Sequence, residues 1–319
     1  MFQRQSRVPI AVFAAALLAA CTDAPVSTPR QVSADVTLSV ESESDLATYM
    51  DVLNAQLESA GSDYRVAVAE YIAPGDSGQA GGTVLAKNVG NKQLTADFVP
   101  FDARRAGWSG PATGPADDIT YAIDQTIDAV PPFGGQTAAQ TTAAILAATA
   151  TWENENCSAL PLVQNPSFGL DIGIVAFLNG LGGSPFVFAD VQHAGWRDIN
   201  FAGGILGVTF TFIFVSGSQP TDVDGNGLAD VAFREIYYDP SFSWATNGTA
   251  NIDVQSVAVH EAGHGLSQGH FGTVRLKNDG TLQASPRAVM NALYAAPFRD
   301  LQGSDNGGHC SNWANWPNH

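Results

Sequence analysis

The sequence predicts an α+β fold, with a small module over residues 36–105 and a larger domain over residues 117–319. Three observations predict it. Apolar residues recur at helical spacing in several stretches, while shorter runs are rich in β-branched and aromatic residues. The two kinds of element alternate along the chain, which points to a mixed sheet backed by helices. Hydrophobic residues make up 45% of the chain and charged residues only 14%, which favours a packed core over disorder.

Arg4 and Arg7 open the chain, and an apolar run from Val8 to Ala20 follows. About thirteen residues make a helix of roughly 20 Å, too short to cross a bilayer, so the pattern fits a secretory leader. The run ends in Leu18-Ala19-Ala20-Cys21, which resembles the bacterial lipobox, where cleavage exposes a cysteine for lipidation. Residues 1–20 are therefore expected to be a lipoprotein signal peptide and Cys21 the lipidated residue. Residues 21–35, with Pro25, Pro29 and several small polar residues, read as a flexible tether. The expected location is extracytoplasmic, anchored to a bacterial membrane. In an oxidising compartment Cys157 and Cys310 are expected to pair, although two separate thiols also fit the sequence.

In the small module, Leu46, Tyr49, Met50, Leu53 and Leu57 share one helical face between Ser42 and Ala60, and Gly61 supplies the stop. Tyr64–Ile72, Gly82–Val89 and Leu94–Val99 read as strands. This module has neither histidine nor cysteine, and a removable propeptide, an accessory domain and a spacer all fit it. Three glycines and two prolines mark residues 106–116 as a linker. In the larger domain a strand is expected at Ile119–Ile123. A long helix follows over Thr137–Asn156, packing through Ile145, Leu146, Thr149 and Trp152. Further strands are expected at Gly173–Phe177, Phe186–Phe188 and Gly207–Val215.

Three of the six histidines lie within His260-Glu261-Ala262-Gly263-His264-Gly265-Leu266-Ser267-Gln268-Gly269-His270. On a helix capped by Asp253, with Val254, Val257 and Ala258 on its apolar side, positions 260 and 264 lie on one face a turn apart. Their imidazoles can converge on one ion. Gly265 lets the backbone leave the helix, so that His270 can return to complete the set. Three neutral imidazoles with an open fourth position describe a catalytic zinc site. Zinc lowers the pKa of bound water from about 16 to about 7, and Glu261, one step round the helix, is placed to take its proton.

The motif resembles that of the metzincin zinc endopeptidases, H-E-x-x-H-x-x-G-x-x-H with a later Met-turn. Val289-Met290-Asn291-Ala292 matches the turn, and Asp230–Phe233, Tyr237–Trp244 and Val257–Val259 resemble the matrixin branch. The resemblance covers residues 117 to about 300. It implies a twisted, mostly parallel sheet, an active-site helix, a small C-terminal subdomain, and Met290 as a hydrophobic floor under the metal. Residues 117–319 are then a zinc metalloprotease catalytic domain. Ser267 stands where the family has glycine, so Gly265 or Gly269 is expected to take over the turn. The leading segment lacks the cysteine with which matrixin propeptides cap the metal, and the tail from Cys310 does not read as the family's closing helix. Tyr294 is a possible oxyanion donor, with a tyrosine of the pocket wall as the alternative.

Asp222, Asp224, Asn226, Leu228 and Asp230 follow the spacing of a calcium loop, with Gly227 at its turn. Phe233 stands where a full loop of this kind places its bidentate glutamate, and a solvated acidic turn is the competing reading. A formal net charge of −17 opposes binding to nucleic acid. The expected function is a lipid-anchored zinc endopeptidase acting on proteins or peptides, with calcium as a structural ion. The rival reading is a non-catalytic calcium-binding or adhesion module on a peptidase fold. A zinc amidase acting on cell-wall peptides would share the same site.

Overall fold

A computed structural model describes residues 40–86, 89, 96–105, 117–166, 169, 171–199, 204–249 and 252–318. The expected signal peptide, Cys21, the tether and the linker lie outside the described residues. No helix among the described residues is long and apolar enough to cross a membrane.

The first helix, α1 (Val40–Ser59), buries the predicted stripe, with Met50 and Leu53 fully enclosed. After a turn at Gly61 come β1 (Tyr64–Pro74), β2 (Gly82–Leu85) and β3 (Ala96–Asp97). β4 (Ile119–Ile123) leads to α2 (Ala138–Glu153). Thr137 caps α2 reciprocally: its hydroxyl accepts from the Gln140 N–H, and the Gln140 amide oxygen accepts from the Thr137 N–H. β5 (Leu162–Gln164), α3 (Ile174–Leu178), β6 (Val191–Trp196), β7 (Gly207–Ser216), β8 (Gln219–Pro220) and β9 (Ala229–Tyr238) follow. The chain then forms β10 (Trp244–Ala245), β11 (Ile252–Asp253), α4 (Val254–Gly265), the hairpin β12 (Thr273–Leu276) and β13 (Leu282–Ser285), β14 (Leu293–Tyr294) and α5 (Gly303–Trp313).

The architecture is mixed α+β, with five α-helices among the described residues. The main sheet runs β14-β1-β7-β9-β6-β4-β5, with β2, β3 and β8 attached at the side. β5, β4, β6 and β9 are parallel, whereas β7 is antiparallel to both β9 and β1. Each face has its own core. α1 and α3 cover one face, packing Met50, Leu53 and Val175 against Phe210, Phe212 and Phe233. α2 and α4 cover the other, packing Ile145, Trp152 and Val257 against Ile119, Val191 and Ile236. Side chains of this size contribute about 1.5–3 kcal/mol each when fully buried.

Residues 36–105 are not a separate module. Ala34–His319 cluster as one unit, and β1 lies inside the main sheet. Every residue of β1 from Arg65 to Pro74 is buried. A strand so apolar needs cover on both faces, which a position between other strands and beneath a helix supplies.

Two expected strands are absent. Gly173–Phe177 forms the short helix α3, because its orphan N–H groups find buried acceptors. Ile174 and Val175 donate to the Glu235 carboxylate at 2.6 and 3.1 Å, and Ala176 donates to Tyr237 Oη. Phe186–Phe188 is loop, with Phe186 exposed. The tail, by contrast, closes as α5: the Asp305 carboxylate accepts from the Gln302 N–H, and Trp313 and His309 are buried. A disulfide between Cys157 and Cys310 joins the end of α2 to α5.

Candidate metal centre

α4 starts at Asp253, whose carboxylate accepts from the Ser256 N–H at 3.0 Å and the Ser256 hydroxyl at 2.7 Å. Arg299 clamps the same carboxylate at 2.6 Å. Glycines at 263 and 265 weaken a helix by roughly 1 kcal/mol each, and packing explains both. A Cβ on Gly263 would lie 2.3 Å from Met290 Sδ and 2.7 Å from Trp152, and one on Gly265 would lie 2.9 Å from Val191. The helix can thus sit directly on α2, on β6 and on the turn at Met290.

The three histidines meet. His264 Nε2 lies 3.0 Å from His260 Nε2 and 3.2 Å from His270 Nε2. Nitrogens tetrahedrally bound to zinc at 2.0–2.1 Å would be about 3.3 Å apart. His260 Nδ1 donates to the Val289 carbonyl at 2.8 Å, and His264 Nδ1 donates to the Gln268 carbonyl at 2.7 Å. A carbonyl can only accept, so the ring protons sit on Nδ1 and the Nε2 lone pairs face one another. Burial, together with the neighbouring histidines, pushes His260 and His270 well below the usual range, which keeps them neutral. Burial opposes charge on His264 too, but Glu70, 3.3 Å from its Nδ1, raises it overall. The donor set therefore fits zinc.

Glu261 is fully buried beside the cluster. Its Oε2 accepts from Thr209 Oγ1 at 2.6 Å, and its Oε1 has no partner. Burial pushes this carboxyl up to about 8. Oε1 rests against Gly207, where a Cβ would stand 2.9 Å away, so β7 admits Glu261 only because position 207 has no side chain.

The turn around Met290 is tied to α5: Val289 and Met290 donate to the Asp305 carboxylate at 2.9 and 3.0 Å. The same turn offers the Val289 carbonyl to His260, and Met290 itself is buried against α4. Ser267, and not a neighbouring glycine, makes the reversal to His270, with a φ of 63°. Arg234 donates to Ser267 Oγ and to the Gly265 carbonyl at 2.9 Å each, which holds the strained turn in place.

Tyr294 lines a cavity of about 340 Å³ beside His260, together with Ile72, Val289 and Leu293. Its hydroxyl accepts from the Asp253 N–H at 2.9 Å, which ties it to the start of α4 as well as to the pocket wall. In the acidic loop, Asp222, Asp224 and Asp230 bring oxygens within 4.8 Å of one another. Asn226 joins them through its side chain and donates to Asp224 and Asp97, while Leu228 donates its N–H to Asn226 Oδ1. Asp230, buried on β9, already faces Arg104 at 2.6 Å.

Sequence reasoning missed Glu70, Thr209, Gly207, Arg234 and Asp305. Only Glu70 carried a local signal, as a lone carboxylate in the apolar run Val66-Ala67-Val68-Ala69-Glu70-Tyr71-Ile72. Comparison with protein-family models and with curated proteins gives no match to this chain.

Proposed function

We propose that the chain is a zinc-dependent endopeptidase of the metzincin type, resembling the matrixin branch. The observation that carries this reading is the convergence of three Nε2 atoms beside a buried carboxylate with one free oxygen. Support comes from the parallel run β5-β4-β6-β9, from α4 packed on that sheet, and from the methionine turn beneath the helix.

His260, His264 and His270 would hold the zinc through Nε2. Bound zinc supplies Lewis acidity, polarising a peptide carbonyl and making water acidic near neutral pH. The chain's own residues do the rest. The Val289 and Gln268 carbonyls orient two of the rings. Thr209 fixes Glu261 Oε2, which leaves Oε1 to take the proton of the attacking water and deliver it to the leaving amine. Burial raises the Glu261 carboxyl, and the positive charge of bound zinc would lower it again toward the range in which it takes a proton near neutrality.

The acidic loop at 222–230 is proposed as a calcium site, with Asp222, Asp224 and Asn226 as donors and Asp230 shared with Arg104. Lipidation at Cys21 and an extracytoplasmic location remain part of the proposal, and the Cys157–Cys310 disulfide supports an oxidising compartment.

Glu261→Ala tests the assignment. The variant should keep about one zinc per chain and lose peptide hydrolysis by a factor of about 10² or more. Unchanged turnover would remove Glu261 from the mechanism, and a wild-type chain that binds metal without any cleavage would favour the adhesion reading.

A further inference from the structure

Residues 271–289 separate His270 from Met290, and the β12–β13 hairpin is built from them. This hairpin walls the cavity beside His260 through Lys277 and Gln283, and Arg287 follows just after β13. The buried part of the wall is apolar, with Leu282, Val289 and Leu293, whereas Lys277 and Arg287 are exposed at the rim. No aspartate or glutamate lines the cavity, although acidic residues outnumber basic ones 31 to 14 in the chain. Arg287 Cζ stands 3.9 Å from the centre of the Phe298 ring, and the Phe298 N–H is tied to Ser256 Oγ of α4 at 2.7 Å. That contact holds the guanidinium through its face and leaves the donors on its edge free. Among the described residues Arg287 makes no hydrogen bond or ion pair. Lys277 has no ion pair either, and its charged neighbour is the exposed Asp279 of the hairpin turn.

Resting on the peptidase reading, we propose that this cavity takes a substrate side chain ending in a carboxylate, glutamate above all, and that Arg287 and Lys277 set the specificity. Glutamate matches both parts of the wall. Its methylene groups lie against Leu282, Val289 and Leu293, and its carboxylate meets the planar fork of Arg287, with the Lys277 ammonium as a second charge. His260 lines the same cavity, so the residue read there adjoins the bond that is cut. The charge of the whole molecule works the other way. At −17 the chain repels acidic peptides at long range, but salt screens that field beyond about 8 Å. A preference for glutamate must therefore arise from the two cations at the cavity itself.

The test uses the zinc-loaded full chain and two sets of probes. One is quenched peptides of a single sequence with Glu, Leu or Lys placed in turn on either side of the cleaved bond. The other is peptide hydroxamates with the same three side chains, whose binding is followed by calorimetry. The Glu probes should exceed the Lys probes at least tenfold, in kcat/KM and in affinity, with Leu between them. Arg287→Glu should reverse both rankings and Lys277→Glu should narrow them, with zinc content unchanged. Arg275→Glu, on the same hairpin but outside the cavity wall, should leave both rankings as they are. A ranking that puts Leu or Lys level with Glu or above it, or one that Arg287→Glu does not alter, would overturn the carboxylate specificity while cleavage upholds the peptidase reading. Zinc bound with no peptide cut would overturn the peptidase reading, and the hydroxamate ranking would then decide the cavity on its own.

Discussion

At the residue scale, Glu261 rests directly against Gly207. Adding one methyl group at position 207 puts an atom 2.9 Å from Glu261 Oε1, so the carboxylate must turn away. Gly207→Ala should therefore leave zinc content unchanged and lower kcat by about tenfold or more, since small displacements of a catalytic group are costly. Steady-state kinetics beside a metal assay checks this. Ser267 gives a second expectation. Its left-handed backbone carries strain, while its hydroxyl receives a bond from Arg234. Ser267→Ala keeps the strain and loses the bond, and should destabilise by about 1 kcal/mol. Ser267→Gly loses the bond but relieves the strain, and should stay close to wild type in urea unfolding.

Among the elements, α4 depends most on its first residue. Asp253 joins the N–H of Ser256, the Ser256 hydroxyl and Arg299, and its tyrosine neighbour accepts from its own N–H. Asp253→Ala should cost about 2 kcal/mol or more, because a cap and a buried charge partner are lost together. Burial alone would raise this carboxyl, but the Arg299 and Ser256 bonds outweigh it and hold it below the usual value near 3.8. The stabilisation is thus fully present above that value and disappears as the pH falls below it. The elements also show what local sequence could reveal. His260, His264 and His270 were legible because eleven residues contain the whole pattern, and α1, α2 and α4 because their apolar stripes and caps are local. Gly173–Phe177 was misread because a short apolar run fits a buried helical turn as well as a strand, and the acceptors that decide it, Glu235 and Tyr237, lie some sixty residues away. Thr83 and Glu70 were illegible as partners of the histidines because strand order alone brings them there.

Over the whole molecule, a buried histidine and a long-range disulfide each carry a stability expectation. His193 is fully buried against Tyr238, and burial pushes it down to about 3. The unfolded chain takes up this proton below about pH 6.5 and the folded chain does not, so stability falls as pH drops from 6.5 towards 3. Urea unfolding at pH 7 and pH 5 should show that loss, and His193→Gln should flatten the slope. The Cys157–Cys310 bridge joins positions 153 residues apart, so Cys157→Ser should cost roughly 3–5 kcal/mol. Equal unfolding free energies would show that the bridge constrains little.

The account rests on three imidazoles sharing one divalent ion. Metal content of the purified full chain measures this directly. About one zinc per chain is expected, lost in His264→Ala while the disulfide and the fold persist. Zinc retained at full occupancy in His264→Ala would contradict the assignment.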